Sequence, residues 1–100
     1  MSEHKLYEVY LRNYQSENGE VSSLTAYLKE DGDLVLEGYD LGKSVEKHWG
    51  DTDYEYWRTV KNEHVPKVLL ELIKERFDSD GKFHEWLDSK GIPNKFDSWI

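Results

Sequence analysis

The sequence contains no cysteine, which excludes disulfides, thiolate nucleophiles and cysteine-ligated zinc. Because small secreted domains often need disulfides, this absence favours a reducing compartment. The segment MSEHKLYEVYL carries charges where a signal peptide needs an apolar run. No apolar segment approaches the roughly 20 residues of a membrane-spanning helix. We therefore expect a cytoplasmic protein without a membrane partner.

Positive charge is scarce, since 13 Lys and Arg stand against 21 Asp and Glu, for a formal net charge of −8. Long-range electrostatics then favour basic partners and disfavour nucleic acid and anionic membranes. The four strands and following helix predicted below have the order found in whirly-type single-strand binders, and an aromatic sheet face could stack bases. Without a basic patch to release counterions, such binding is expected to be weak at physiological salt.

Catalytic patterns are equally thin. Ser44, His48 and Asp51 lie close in sequence, but no nucleophile elbow or oxyanion-type glycine run frames them. No phosphate-binding loop or dinucleotide fingerprint occurs. The four histidines show no close ligand spacing for zinc. These patterns favour a non-enzymatic protein that needs no cofactor.

Aromatic residues, by contrast, make up 14% of the 100 residues, which is typical of a folded chain and suits a single domain spanning residues 1–100. Period-2 patterning predicts four strands, at about 5–14, 22–29, 33–40 and 53–61. Helical spacing begins at Val65, and Ser79 or Asp80 can cap a second helix at about 81–90. The order predicts an α+β fold, a four-stranded antiparallel meander followed by two C-terminal helices packed on one sheet face.

The turn at Asp31 and Gly32 predicts a register for the second and third strands. A two-residue loop would place Leu28 opposite Val35 and mix polar with apolar faces. A three-residue loop pairs Leu28 with Leu34, and alternation within each strand then keeps both apolar faces matched. We therefore predict the three-residue loop, with Gly32 in the left-handed region.

Alternation along the strands divides the predicted sheet into two faces. One face is expected to bury against the helices and carries Tyr7, Val9, Leu11, Leu24, Leu28, Leu34 and Leu36. The other collects Tyr10, Tyr14, Tyr27, Val35, Tyr39 and Trp57, interleaved with Glu8, Arg12, Thr25, Glu37 and Glu55. Aromatic rings framed by carboxylates are typical of surfaces that bind a basic protein.

Residues 37–58 concentrate this chemistry, with five aromatics and six acids. Tyr54 and Tyr56 are predicted to point inward with Val60. The candidate contact surface consists of Tyr10, Tyr14, Tyr27, Tyr39, Trp57, Glu37 and Glu55. From this surface we predict a protein-interaction module that binds a basic protein. We expect the module to be a monomer or a weak homodimer. An alternative stays open, in which the 41–52 loop or the C-terminal tail covers Tyr39, Trp49 and Trp57.

A second functional hypothesis concerns Asp51, Asp53 and Glu55. These carboxylates alternate, so an extended strand would place all three on one face, where oxygen ligands can bind Ca²⁺ or Mg²⁺. The pattern is not an EF-hand, since that loop needs glycine at its sixth position, where Tyr56 stands. An acidic strand edge in solvent is the simpler interpretation.

Several spaced segments carry a family resemblance: LEGYDLG at 36–42, GDTDYEYW at 50–57, LLELIKERF at 69–77 and WLDSKGIPNKFDSW at 86–99. Together they resemble a group of small bacterial proteins of unknown function, over about two-thirds of the chain. The DYEYW and GIP-F-SW spacings are the most specific parts. The resemblance implies a compact bacterial α+β domain and assigns no role to any residue.

Overall fold

A computed structural model of the protein, described for residues 5–42 and 53–99, confirms the α+β order. The strands are β1 Lys5–Gln15, β2 Val21–Lys29, β3 Leu34–Leu41 and β4 Asp53–Val60, and the helices are α1 Val65–Arg76 and α2 Asp80–Ser89. A short 3₁₀ turn, Asn62–His64, precedes α1. The strands form one antiparallel sheet in the order β1-β2-β3-β4. No helix in the described part of the chain is long and apolar enough to cross a membrane.

The chain divides into two compact units, Met1–Pro66 with the sheet and Lys67–Ile100 with most of the helical segment. The predicted packing of the helices on a sheet face, and with it the single domain over residues 1–100, stays a prediction.

Both described hairpins use three-residue loops, and the predicted register is confirmed. Leu28 pairs with Leu34 across β2 and β3, and the Lys29 N–H donates to the Asp33 carbonyl oxygen at 2.9 Å. Gly32 has φ +93°, the left-handed conformation that such a loop requires. The β1–β2 hairpin repeats the design, with Gly19 at φ +82°.

Two irregularities in β1 change which side chains share a face. The β1–β2 register shifts between Lys5 and Tyr7 and again between Tyr10 and Arg12. A bulge adds one residue to a strand, so every side chain after it reverses its direction. Arg12 and Tyr14 therefore lie on the face opposite to Tyr10, and the prediction that all three share a face is wrong.

The sheet consequently has two faces of different chemistry. We call one the aromatic–acidic face. Its four cross-strand rows are Glu8, Tyr27, Val35 and Thr59, then Tyr10, Thr25, Glu37 and Trp57, then Asn13, Ser23, Tyr39 and Glu55, then Gln15, Val21, Leu41 and Asp53. We call the other the aliphatic face. Its four rows are Tyr7, Leu28, Leu34 and Val60, then Val9, Ala26, Leu36 and Arg58, then Arg12, Leu24, Gly38 and Tyr56, then Tyr14, Ser22, Asp40 and Tyr54.

Burial in the central strands differs between the two faces, and this corrects a prediction. The buried apolar residues are Tyr27, 5% exposed, and Val35, 4% exposed, both on the face predicted to be open. Leu24, Leu28, Leu34 and Leu36 of the aliphatic face are only half-buried. Strands β2 and β3 have a neighbour on each side, whereas β1 is exposed along its whole length. Central strands therefore bury side chains that edge strands cannot.

Asp33 ties the β2–β3 loop to the end of β4. Its side chain, almost fully buried, accepts hydrogen bonds from the Lys61 ammonium at 3.0 Å and from the Asn62 backbone N–H at 2.8 Å. The Asn62 side chain also donates to the Asp31 carbonyl oxygen at 3.0 Å. These bonds stabilise the anion at the start of a helical segment, where the peptide dipoles favour negative charge.

The hydrogen bond from Lys61, supported by that from Asn62, lowers the pKa of the Asp33 carboxyl below its ordinary value, against the opposing effect of burial. A lowered folded-state pKa contributes stability above the ordinary value and loses it as pH falls through the folded-state value. We expect Asp33→Asn to lower the melting temperature at pH 7 by roughly 5 °C or more. Below the folded-state pKa, variant and wild type should converge.

Thermal melts at pH 7 and in acid, followed by circular dichroism, measure this. The control is Asp97→Asn, which removes an exposed carboxylate, 84% accessible, from the C-terminal segment. It should melt like wild type at both values. An Asp33→Asn variant that keeps the wild-type acid dependence would contradict the assignment.

The second unit is a helix pair with predictable ends. The Ser79 hydroxyl accepts the Lys82 N–H at 3.2 Å as the N-cap of α2. Gly91, at φ +68°, follows α2, and the Ile92 N–H reaches the Leu87 carbonyl oxygen at 2.9 Å, as in a Schellman motif. Phe77 lies between the helices, 5.2 Å from Phe83 and 5.7 Å from Trp86 between ring centroids.

Candidate interaction surface

The central row of the aromatic–acidic face crosses all four strands and ends in two exposed rings. Tyr10 on β1 and Trp57 on β4 are 64% and 56% exposed. Between them lie Thr25, which is buried, and Glu37, which is half-buried. Rings at both edges with a carboxylate between them form a surface that combines apolar area with negative charge.

Trp57 and Glu37 are directly bonded across the β3–β4 pair. The indole N–H donates to Oε1 of Glu37 at 2.7 Å, a short distance for a hydrogen bond to a charged acceptor. The bond orients the indole ring, and because the carboxylate retains its second oxygen, Glu37 can still accept from a bound group. Tyr39 and Glu55 pair in the neighbouring row.

Lysines gather at the end of this face near the Asp31 loop, and each has an acidic neighbour. Lys5 donates to Glu8 at 2.7 Å, and its ammonium lies 4.3 Å from the centroid of the Tyr27 ring. The hydrogen bond with Glu8, supported by nearby negative charge, raises the pKa of Lys5 above its ordinary value. Farther along the face, the rows that contain Glu37 and Glu55 include no lysine or arginine. The negative charge is therefore concentrated around Trp57.

Of the residues predicted for the contact surface, the structure brings Tyr10, Tyr39, Trp57, Glu37 and Glu55 to one face. Two predictions need correction. Tyr27 lies on this face but is only 5% exposed, because it sits on a central strand beneath Lys5. Tyr14, 53% exposed, lies on the aliphatic face because the bulge at Leu11 reverses the end of β1.

The alternative in which the 41–52 loop or the C-terminal tail covers the candidate rings stays open. Within the sheet unit, Trp57 is more than half exposed. Tyr39 is half-buried. Trp49 lies outside the described residues, as does most of the 41–52 loop. The exposed rings available for contact are therefore Tyr10 and Trp57. Tyr39 lies on the central strand β3 and is exposed only in part.

The metal hypothesis is only partly placed by the structure. Asp53 and Glu55 both lie on β4, two residues apart, so they share a face as alternation predicts. Asp51 and His48 lie outside the described residues. Among residues 5–42 and 53–99, no group of three His, Cys, Asp or Glu side chains is placed to hold a metal ion. The three-carboxylate site stays a prediction, which calorimetric titration with Ca²⁺ or Mg²⁺ would test.

Sequence reasoning missed a polar cluster that spans the aliphatic face. Arg12 donates to the Ser22 hydroxyl at 2.8 Å and to the Tyr56 hydroxyl at 3.3 Å, and Ser22 donates to Asp40 at 2.7 Å. One side chain from each strand takes part. The signal that could have found it is Gly38, since glycine inside a strand often marks the close approach of another group. Here the Tyr56 ring lies over Gly38, which is buried.

The described residues also form a shallow cleft in the helical unit, beside the end of α2. His84 and Asp88 approach at 2.9 Å, and the Asn94 side chain donates to Asp88 at 3.1 Å. Asn94 also donates to the Ile92 carbonyl oxygen at 3.0 Å. Both carboxylate oxygens of Asp88 therefore already have partners. The hydrogen bond from Asn94 to Asp88 holds the chain after Gly91 against α2.

Comparisons of the chain with protein-family models, with curated proteins and with solved structures give no match. The resemblance to small bacterial proteins therefore stays a prediction.

Proposed function

We propose that this protein is a small acidic, non-enzymatic interaction module of the cytoplasm that binds a basic protein through its aromatic–acidic face. The observation that supports the proposal most strongly is the pair formed by Trp57 and Glu37. An indole that is 56% exposed is held at 2.7 Å by a carboxylate on the surface of a sheet. Tryptophan and tyrosine are enriched among the residues that dominate binding energy at interfaces.

The rigidity of the surface supports a binding role. Glu37 and Trp57 stand on neighbouring strands of the sheet, so their backbones lose little freedom on binding. The indole ring is already oriented by its hydrogen bond. A preorganised ring beside a carboxylate suits an arginine or lysine side chain, which can stack on the indole and pair with the oxygen.

Charge supports a basic partner over nucleic acid. The central row includes Glu37 and no lysine or arginine, and the bulge in β1 moves Arg12 to the opposite face. Lys5, on the same face, interacts electrostatically with Glu37 but is bonded to Glu8. The net charge of −8 adds long-range attraction for a basic protein and repels phosphate backbones. The face therefore combines apolar area with the sign of charge that selects cationic residues.

The electrostatic part of the proposal is tested by salt. A partner captured at about 50 mM salt should be retained less well at about 300 mM, because the Debye length shortens and rim charges are screened. Gel shift with single-stranded oligonucleotides at about 150 mM salt serves as the comparison and should show no complex. Tight oligonucleotide binding under those conditions would contradict the proposal.

A further inference from the structure

Strand β1 is an edge of the sheet that remains exposed along its whole length. All 11 residues of Lys5–Gln15 are exposed, and β2 is its neighbour in the described sheet. Six large apolar side chains on it are at least 41% exposed: Leu6, Tyr7, Val9, Tyr10, Leu11 and Tyr14. An edge strand presents unpaired backbone N–H and C=O groups, and a long apolar edge is a ready template for another strand.

The charges of β1 are already satisfied within the protein. Lys5 pairs with Glu8 at 2.7 Å, and Arg12 bonds to Ser22 and lies 3.8 Å from Asp40. The edge therefore offers apolar side chains and backbone hydrogen-bonding groups, with little free charge of either sign. A charged partner would find few free charges to pair with at this edge. A second copy of β1 offers the same apolar side chains and backbone hydrogen-bonding groups, so the two edges are complementary.

Charge across the whole chain also favours self-association at this strand. Two copies that each carry −8 repel one another, and the repulsion is smallest where the facing strands are not acidic. Strand β1 has two basic residues and one acid. Its six exposed apolar side chains lie along the strand that pairs, so association removes part of their apolar surface from water.

The irregularities of β1 restrict the register of such a pair. Between the two register shifts, residues 7–10 form a regular run. In an antiparallel pair, residues that stand opposite each other lie on the same face of the sheet. A two-fold axis normal to the sheet therefore passes midway between the two copies of one residue, and we take that residue from this regular run. Axes through Glu8 or Val9 give three regular pairs each, but Glu8 would face the same carboxylate of the second copy. Centring on Val9 places Glu8 opposite Tyr10 and avoids that repulsion.

We propose that two copies of this chain associate through antiparallel pairing of their β1 strands, centred on Val9, to form one continuous eight-stranded sheet. The two-fold axis normal to the sheet places both aromatic–acidic faces on the same side. The dimer does not depend on Glu37 or Trp57, because it uses the edge of β1, to which the central row contributes Tyr10.

Sedimentation equilibrium of the wild type and of Val9→Lys tests the proposal. Wild type should dimerise between about 10 and 500 µM, and Val9→Lys should raise the dimer dissociation constant about tenfold or more, because it opposes two ammonium groups at the axis. The matched control is Leu70→Lys, which charges a side chain 65% exposed on α1 and should leave the constant unchanged. An equimolar mixture of Val9→Lys and Val9→Glu should recover the dimer.

A cross-linking measurement decides the matter even if Val9→Lys fails to fold. Because the chain has no cysteine, Val9→Cys introduces a single thiol, and mild oxidation should trap a disulfide dimer. Leu70→Cys under the same conditions should remain largely uncross-linked. A wild type that stays monomeric up to about 500 µM, as expected if β1 instead awaits a foreign strand, would overturn the proposal. A dimer that Val9→Lys leaves unchanged, or equal cross-linking of the two cysteine variants, would also overturn it.

Discussion

Replacing Tyr10 and Trp57 together by alanine should weaken binding of the basic partner by about 100-fold or more, while the fold remains. Each side chain is more than half exposed, 64% for Tyr10 and 56% for Trp57, so its loss creates no cavity. Aromatic anchors at interfaces contribute about 2 kcal/mol or more when truncated, and about 1.4 kcal/mol corresponds to a factor of ten in affinity. Calorimetric titration against the captured partner measures the change.

The structure offers a matched control for this variant. Tyr14 is on the same strand as Tyr10 and is similarly exposed, at 53%, but the bulge at Leu11 places it on the aliphatic face. Tyr14→Ala should therefore keep wild-type affinity. Trp57→Phe separates the roles of the indole, because it retains an aromatic ring but removes the N–H that binds Glu37. It should show an intermediate loss.

Two outcomes would contradict the prediction. Loss of the cooperative thermal transition in the double variant would show that Tyr10 and Trp57 belong to the core. Equal losses in Tyr10→Ala and Tyr14→Ala would show that the two faces are not distinguished. Because Tyr10 also lies on β1, sedimentation of each variant should accompany the titration, so that a change in association is not mistaken for a change in binding.

Gly38→Ala should be the most destabilising single-methyl change in the sheet. A Cβ atom at this position would overlap the Tyr56 ring, which lies directly over the glycine. Tyr56 also accepts a hydrogen bond from Arg12, so displacing the ring disturbs the polar cluster. Overpacking of this kind costs about 1–3 kcal/mol, and we expect the upper part of that range. Urea unfolding followed by tryptophan fluorescence measures it.

A double-variant cycle identifies the cause. In a Tyr56→Ala background the overlap no longer exists, so Gly38→Ala should cost less than about 1 kcal/mol there. Gly81→Ala is the control, since a Cβ at Gly81 meets no atom within 4 Å. Because Gly81 lies in α2, alanine there should be neutral or stabilising by about 0.5–1 kcal/mol. Equal costs of Gly38→Ala in both backgrounds would contradict the packing argument.

Local patterns in the sequence predicted much of this fold because several constraints agreed. The Asp31 loop is an example: only a three-residue connection matches Leu28 with Leu34, and glycine stands at the position that needs φ +93°. The ends of α2 are a second example. The Ser79 hydroxyl caps its N-terminus, and Gly91, in the left-handed conformation, follows its C-terminus. In each case a backbone requirement and a side-chain pattern indicate the same structure.

The bulge at Leu11 could not be predicted, and it changed the candidate site most. Strand β1 carries apolar or aromatic residues on both faces, so its alternation does not reveal an inserted residue. The burial of Tyr27 was missed for a different reason. Alternation assigns a face to a side chain, but its exposure also depends on its tertiary neighbours. Tyr27 lies between β1 and β3, and the Lys5 ammonium lies 4.3 Å from the centroid of its ring.

The candidate site that remains is smaller than the one predicted. Six of its seven residues lie on the aromatic–acidic face, but Tyr27 is buried there, and Tyr14 lies on the other face. In the central row, the groups that a partner can contact are the rings of Tyr10 and Trp57 and the carboxylate of Glu37. Arg12, predicted for this face, lies on the aliphatic face instead. The aromatic–acidic face therefore has one cation fewer than predicted, which favours a basic partner.

Affinity capture from native lysate, read by quantitative mass spectrometry, tests whether the aromatic–acidic face binds a basic protein. Wild type, the Tyr10→Ala/Trp57→Ala variant and Tyr14→Ala serve as parallel baits, each confirmed as folded by circular dichroism. We expect a basic protein that is enriched by wild type and by Tyr14→Ala and is lost with the double variant. Equal recovery of that protein by all three baits, or selective enrichment of an acidic protein, would contradict it.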